Sequence, residues 1–344
     1  MQVVQFSRHG GPEVLEVVER PRPSPGPGEV LVRTLAVSVN HLDLWARRGL
    51  PGLPVPLPFV PGSDGVGEVV ECGPGVSALR SGQRVLILPG VSSGQSAHDR
   101  RGDDHLSDDY QVRGEHLDGV DSEYLALESR FFMKLPEGLD PIQAAAVPLV
   151  FVTAWGALVE RAELRPGESC LILAGASGVG SAGIQIARDL GARVLATAGS
   201  EEKRAFAREL GAHEVLDHHD PAWPKQVKAL TGGRGADVVF EHVGPATWSG
   251  SMRSLARLGR LVTCGGTTGA EVCLTLPHMF MKNLSVLGST MGPRRAFATI
   301  LEKLSAGAYR PTVGLILPMS RVAEAHRRLE AGEVLGKIVM TPGS

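Results

Sequence analysis

The run at 171–181, LILAGASGVGS, has the residue types and spacing to hold a pyrophosphate. An apolar strand runs into a glycine-rich turn, and 181–187, SAGIQIA, continues as a helix. Glycines let the backbone turn tightly and approach a ligand, while the helix start offers free N–H groups and a positive dipole end. This is the dinucleotide-binding arrangement. It departs from GxGxxG, with Ser177 at the middle position and a glycine one residue later. Gly175, Ser177, Gly178, Val179 and Gly180 are the candidate cofactor contacts.

The end of the next strand bears on which dinucleotide binds. An acidic residue there would accept from a ribose 2′-OH. Here the strand ends in Gly199-Ser200, followed by Glu201, Glu202, Lys203 and Arg204. Ser200, Lys203 and Arg204 could accommodate a 2′-phosphate. Ser200 could equally cap the next helix, with the glutamates in its first turn. The residues favour NADP(H) and leave NAD(H) possible.

The elements around this turn fall into two textures. Residues 1 to about 125 read as short strands broken by turns, at 3–6, 15–18, 30–37, 65–70 and 84–88. Residues 92–109 are polar, acidic and aperiodic, and read as a long loop. From about 140 the chain turns helical, and from 169 strands alternate with helices. Strands are expected at 169–174, 193–198, 215–216, 237–240, 260–264 and 284–287. Helices are expected at 180–190, 201–210, 224–231 and 247–258. That alternation is the pattern of a doubly wound parallel sheet. Helices at 295–306 and 322–330 follow, and the last strand, 336–340, is placed back in the first domain.

With 344 residues, the chain is too long for one ordinary core. Hydrophobic residues at 43% and charged residues at 21% exclude a disordered chain. A net charge of −2 gives no electrostatic case for a nucleic-acid or membrane-surface partner. The start, MQVVQFSRHGGPEV, does not read as a signal peptide. The four cysteines, at 72, 170, 264 and 273, have no CxxC pair, so reduced thiols in a cytoplasm are expected.

Together these segments resemble the medium-chain dehydrogenase/reductase superfamily, which spans zinc-dependent alcohol dehydrogenases and zinc-free quinone oxidoreductases. The resemblance covers essentially the whole chain. It is carried by PGPGEVLV (25–32), NHLDLWARRG (40–49), PGSDGVGEV (61–69), SGQRV (81–85) and EYLAL (123–127). Later carriers are PLVFVTAW (148–155), AGASGVGSAGIQIA (174–187), GADVVFEHVG (235–244) and GKIV (336–339). It implies an α/β protein with a GroES-like β-rich catalytic domain, 1–150 and 292–344, and a Rossmann domain, 151–291, with the active site in the cleft between. It places Thr153, Val243, Gly265, Gly266, Gly288 and Ser289 along the nicotinamide half of the cofactor. His218 falls where quinone oxidoreductases often carry a tyrosine near the 2′-phosphate; a surface histidine is the plainer reading. By the same likeness the chain would form a homodimer or homotetramer through the 284–290 edge strand.

The zinc enzymes of this family bind catalytic zinc through a Cys, the His of a Gly-His-Glu motif and a second Cys. The corresponding positions here are Asn40, Ser63 (followed by Asp64) and Leu149. Asn and Ser bind zinc poorly and Leu not at all. The four cysteines of the family's structural zinc correspond to Ser93, Ser96, Asp99 and Ser107. No zinc is therefore expected, and the loop without its metal staple should be mobile. His41, Asp43, Asp64, His116 and Asp118 include ligand types from which a rebuilt site could be made.

Alcohol oxidation needs a Lewis acid and a proton relay. Leu42 stands where the zinc enzymes have a relay hydroxyl, and Trp45 where they have a relay histidine. Hydride delivery to a quinone or an activated carbonyl or enone needs less, because the cofactor carries the chemistry. Asn40 could hydrogen-bond the acceptor carbonyl or merely steady a turn. His41 or Asp43 could supply a proton or position a water, and Asp43 could instead pin the loop through backbone amides. Trp45, with Ser63, Asp64 and Leu149, could line the substrate pocket; Trp45 could also fill core. Two readings stay open beside quinone or enone reduction: an alcohol dehydrogenase for a small alcohol or aldehyde, and a cofactor-binding scaffold or sensor whose catalysis has decayed.

Overall fold

A computed structural model describes residues 1–49, 52 and 54–343, and the chain divides into two compact units. The first is Met1–Leu149 with Pro293–Ser344, and the second is Val150–Gly292.

The first unit is built on a seven-stranded sheet centred on Glu29–Val39. The first half of that strand pairs antiparallel with Tyr124–Glu128, the second half with Lys337–Thr341, and its other edge with Asp64–Cys72. Val313–Pro318 runs parallel to Lys337–Thr341 at one edge, while Arg84–Ile87 and Phe132–Lys134 complete the other. Branched residues on the central strand and its neighbours, among them Val30, Val32, Val37, Val85 and Ile338, pack with Phe6 and Phe59. Two registers bring distant polar residues together. Ser38 lies opposite Asp64, and Val39 opposite Ile338. The second register sets Lys337, the next residue out, across from Asn40.

The 92–109 segment, expected as an aperiodic loop, folds into a short helix, Ala97–Arg101, and a 3-10 turn, Asp104–Leu106. The Asp99 carboxylate organises it. Ser92 Oγ (2.6 Å) donates to Oδ1, and Ser96 N (2.9 Å) and Ser107 Oγ (3.3 Å) lie against Oδ2. Ser93 N and Ser107 Oγ reach Asp109 at 3.0 and 2.7 Å. All four positions aligned with the family's structural cysteines thus take part in one hydrogen-bonded knot with a carboxylate at its centre.

The second unit holds a six-stranded parallel sheet. Its order is Glu214–Leu216, Arg193–Thr197, Ser169–Ile172, Ala236–Glu241, Leu255–Thr263 and Ser285–Gly288. This is the doubly wound arrangement, with helices between strands. One expectation fails here. The helix expected at 247–258 stops at Ser254, and Leu255 and Ala256 enter the next strand instead. Leu255 pairs with Ala236 in the sheet and is fully buried there, which outweighs the helical continuation of its sequence.

Candidate functional site

In the first unit the registers gather a buried polar cluster at the end of the central strand. Asp64 is fully buried, and its Oδ2 accepts from Ser38 Oγ (3.0 Å), Asn40 Nδ2 (2.9 Å) and Lys337 Nζ (3.1 Å). Its Oδ1 accepts from Leu149 N at 2.7 Å. Lys337 Nζ also donates to Asn40 Oδ1. Asn40 caps the helix His41–Arg48, and its backbone N–H donates to Asp43 Oδ2 at 2.7 Å. Asp43 Oδ1 accepts from Gly62 N at 3.1 Å. The Asp43 carboxylate therefore ties the helix start to the loop before Asp64, the pinning role that the sequence left open beside a catalytic one.

Gly62 stands at φ 98°, where an L side chain is strained, and a Cβ there would lie 2.1 Å from Asp121 Oδ1. Asp121 is buried, and that oxygen has no hydrogen-bond partner among the described residues. Burial pushes Asp43 up to about 7, against its two amide donors and Lys337. Burial, then the neighbouring Asp43 and Asp64, pushes Asp121 well above the carboxylate range.

The Asp43 shift has a checkable sign. A carboxyl raised in the folded state contributes stability that is full below its unfolded value near 4 and lost as pH rises towards 7. His326, pushed down to about 3 chiefly by burial and then by Arg47, acts oppositely: its contribution is full above 6.5 and lost on acidification. The two trends offset each other in the parent protein, so a variant is needed to separate them. The stability of the parent relative to Asp43→Asn should fall steadily between pH 4 and 7 in urea titrations. A difference that stays flat across that window would contradict the shift.

The remaining first-unit candidates are less engaged with this cluster. Ser63 is buried and donates through Oγ to Arg113 O at 2.7 Å. His41 and Trp45 are half-buried on the capped helix. The residues at the family's metal positions do not fit zinc. The Asn40 oxygen is taken by an ammonium group, the Ser63 hydroxyl by a carbonyl, and Leu149 brings only a backbone N–H. A fixed ammonium at the centre also repels a dication. The proposed alternative ligands are dispersed in their bonding: His116 Nδ1 accepts from Val112 N, and Asp118 Oδ1 from Val60 N. Among the described residues no three His, Cys, Asp or Glu side chains form a group able to hold a metal.

In the second unit the glycine-rich turn joins Ser169–Ile172 to the helix Gly178–Asp189. Ser177 caps that helix, its Oγ accepting from Gly180 N at 3.1 Å. The first i to i−4 bond is Ser181 N to Ser177 O, so the amides of Gly178 and Val179 open the helix ahead of it. Ser177, Gly178 and Val179 are half-buried, as residues at a ligand's edge would be, while Gly175 and Gly180 are packed underneath.

Around the end of Arg193–Thr197, Ser200 caps the next helix, its Oγ accepting from Lys203 N at 3.2 Å. Arg204 is paired with Asp217 (3.0 Å) and Glu201 (2.9 Å). His218 Nδ1 lies 3.3 Å from Thr197 Oγ1, and His218 and His219 crowd Gly199, where a Cβ would meet their Nε2 atoms at 2.9 and 2.7 Å. Burial, then His219, lowers the His218 pKa. Gly199, Ser200, Lys203, Arg204 and His218 thus form one neighbourhood.

Of the expected nicotinamide-side residues, Val243, Gly265 and Gly266 lie in the turns after two further strands, Gly288 and Ser289 at the end of a third, and Thr153 in the helix Pro148–Trp155. Thr268 N donates to Val243 O at 2.8 Å, which holds the Val243 turn beside Gly266. Ser289 N donates to Thr263 O at 2.9 Å, and Arg161 Nε to Gly288 O at 2.9 Å. Gly265 is half-buried after Leu255–Thr263. Thr153 is buried, with its hydroxyl 3.6 Å from Met291 Sδ.

Sequence reasoning missed Lys337, Asp121, Glu241 and His242. Glu241 is fully buried and accepts from Val243 N, Gly244 N and Thr247 Oγ1, fixing the turn. Burial pushes His242 down to about 4, so its neutral ring donates from Nε2 to Leu173 O at 2.8 Å. The signals available were a lone acid closing an apolar run, in VVFEH, and a lone lysine opening one, in GKIVM.

Residues 26–137 match the family model described as alcohol dehydrogenase GroES-like domain, and residues 178–306 the one described as zinc-binding dehydrogenase. A quinone oxidoreductase of Pseudomonas aeruginosa is 33% identical, covering 98% of this chain and 99% of that protein. A human quinone oxidoreductase is 30% identical over 99% of this chain and 97% of its own length. A crystal structure titled NAD-dependent alcohol dehydrogenase superposes with a TM-score of 0.96 at 44% identity, covering both chains fully. The chain belongs to the medium-chain dehydrogenase/reductase superfamily of oxidoreductases, with a GroES-like domain and a Rossmann-type parallel sheet.

Proposed function

We propose that this protein transfers hydride from a reduced nicotinamide dinucleotide to a quinone or an activated carbonyl or enone, without catalytic zinc. The observation that carries this reading is the ammonium–amide–carboxylate arrangement of Lys337, Asn40 and Asp64 at the family's metal position, in a chain that keeps the dinucleotide turn. The kinship with proteins named quinone oxidoreductase supports it.

The cofactor's pyrophosphate would lie over Gly175, Ser177, Gly178, Val179 and Gly180. Its adenosine end would meet Ser200, Lys203, Arg204 and His218. Thr153, Val243, Gly265, Gly266, Gly288 and Ser289 would flank the nicotinamide. NADP(H) remains favoured over NAD(H), because no acid stands at the end of Arg193–Thr197. The pairing of Arg204 with two carboxylates works against that preference, since a 2′-phosphate would have to displace them. The chain is also proposed to be a cytoplasmic homodimer or homotetramer. Supporting that pairing, Leu276, Phe280 and Met281 are exposed on the helix just before the edge strand Ser285–Gly288. Among the described residues no helix is long and apolar enough to cross a membrane.

Steady-state oxidation of NADPH and NADH against quinones, enals and small aldehydes tests the proposal. Turnover of a quinone or enone, unchanged by dialysis against a chelator, is the expected result. Stoichiometric zinc with chelator-sensitive alcohol oxidation would support the second reading, which the 44% relative titled NAD-dependent alcohol dehydrogenase favours. Tight cofactor binding with no turnover on any acceptor would leave a scaffold.

A further inference from the structure

Lys337 is 4% exposed and heads the strand Lys337–Thr341. An ammonium group has three protons to give. Two are placed, on Asn40 Oδ1 and on Asp64 Oδ2, and the third meets no acceptor among the described residues. Asn40 is in the opposite condition. Its oxygen accepts from Lys337, and its amide group donates to Asp64 Oδ2 and, at 3.4 Å, to Ser38 O. A buried donor proton without a partner is costly, so the cluster is built to receive one more oxygen. The oxygen it suits is one on which negative charge grows, because the neighbouring Asp64 already balances the resting charge of the ammonium.

We propose that Lys337, rather than Asn40, is the catalytic residue that hydrogen-bonds and protonates the acceptor's oxygen, with Asn40 and Asp64 positioning its ammonium. Lys337 then stands as a fixed cation in the role that a metal plays in zinc-dependent relatives. The inference rests on the proposed hydride transfer to a carbonyl, quinone or enone. A reduced nicotinamide, when bound, supplies two electrons and one hydrogen as hydride to the electrophilic carbon. The C=O or conjugated π pair moves to the oxygen, and the oxygen takes a proton from Lys337 Nζ. The lysine amine is restored by one proton from solvent. One proton and one hydride are consumed for each acceptor reduced.

The full-length parent, Lys337→Met and the charge-balanced double variant Lys337→Met/Asp64→Asn are to be compared by three measurements: melting temperature, NADPH and NADH dissociation constants, and single-turnover hydride transfer to a quinone and to an enal. The double variant is included because the single one leaves a buried carboxylate without its cation. The expected result is a folded double variant whose cofactor dissociation constant stays within threefold, while its transfer rate falls 100-fold or more. A transfer rate within threefold of the parent would overturn the assignment to Lys337 alone. A rate loss matched by an equal loss of cofactor affinity would also overturn it, making Lys337 a cofactor contact. A parent that binds cofactor but turns over no acceptor would remove the functional reading and this one with it.

Discussion

Gly180→Val is expected to raise the dissociation constant for NADPH at least 100-fold. The cause is steric and local. A Cβ at Gly180 would lie 2.3 Å from Ala174 O and 2.9 Å from Ser177 Oγ. Neither can yield without moving the turn, because Ala174 O is backbone and Ser177 Oγ is held by the Gly180 amide it caps. Relieving the clash pulls the helix Gly178–Asp189 away from the strand Ser169–Ile172 and turns the amides of Gly178 and Val179 from their aim. A hundredfold loss corresponds to about 2.7 kcal/mol. That is a reasonable cost for misplacing two amides and a helix end in front of a doubly charged pyrophosphate. Fluorescence titration with NADPH reads the effect, with circular dichroism confirming that the fold is kept. Affinity within threefold of the parent would show that the cofactor does not sit on this turn.

Much of the fold could be read directly, and the reasons are local. The glycine turn announces itself because strand, turn and helix are contiguous in sequence. The alternation of short apolar strands with helices is likewise a short-range pattern, whereas only the resemblance to the family assigns the C-terminal strand to the first domain. The misreading at Leu255–Leu258 is also local: four residues with helical texture were claimed by the neighbouring strand through a long-range pairing. The candidate site was legible only in part. Asn40, Asp43 and Asp64 stand within one stretch of chain, where the sequence marks all three as candidates. Lys337 lies 297 residues from Asn40, and what brings it there is a strand register that no spacing encodes. The same holds for Arg204, whose sequence neighbours suggested a phosphate ligand while Asp217, across the turn, pairs with it.

That long-range assembly makes Asp64 the residue whose loss should cost the first unit most. Asp64→Leu removes the carboxylate that accepts from Lys337, and it also strips the acceptor from Ser38 Oγ, Asn40 Nδ2 and Leu149 N. Three of these donors are shut away from water, since Ser38, Asn40 and Lys337 are all buried; Leu149 is half-buried. Breaking a buried ion pair from one side costs about 3–5 kcal/mol, most of it from the cation left behind. For a folding unit the size of Met1–Leu149 with Pro293–Ser344, about 2–4 °C per kcal/mol implies a melting temperature of that unit lower by about 10 °C. If the stranded charge is the main cost, the double variant Asp64→Leu/Lys337→Met should be more stable than Asp64→Leu alone. The two single effects would then be strongly non-additive. Differential scanning calorimetry on the four proteins closes the cycle. Additive losses would mean that Lys337 and Asp64 do not act as a pair, and that the buried ammonium is balanced by some other group.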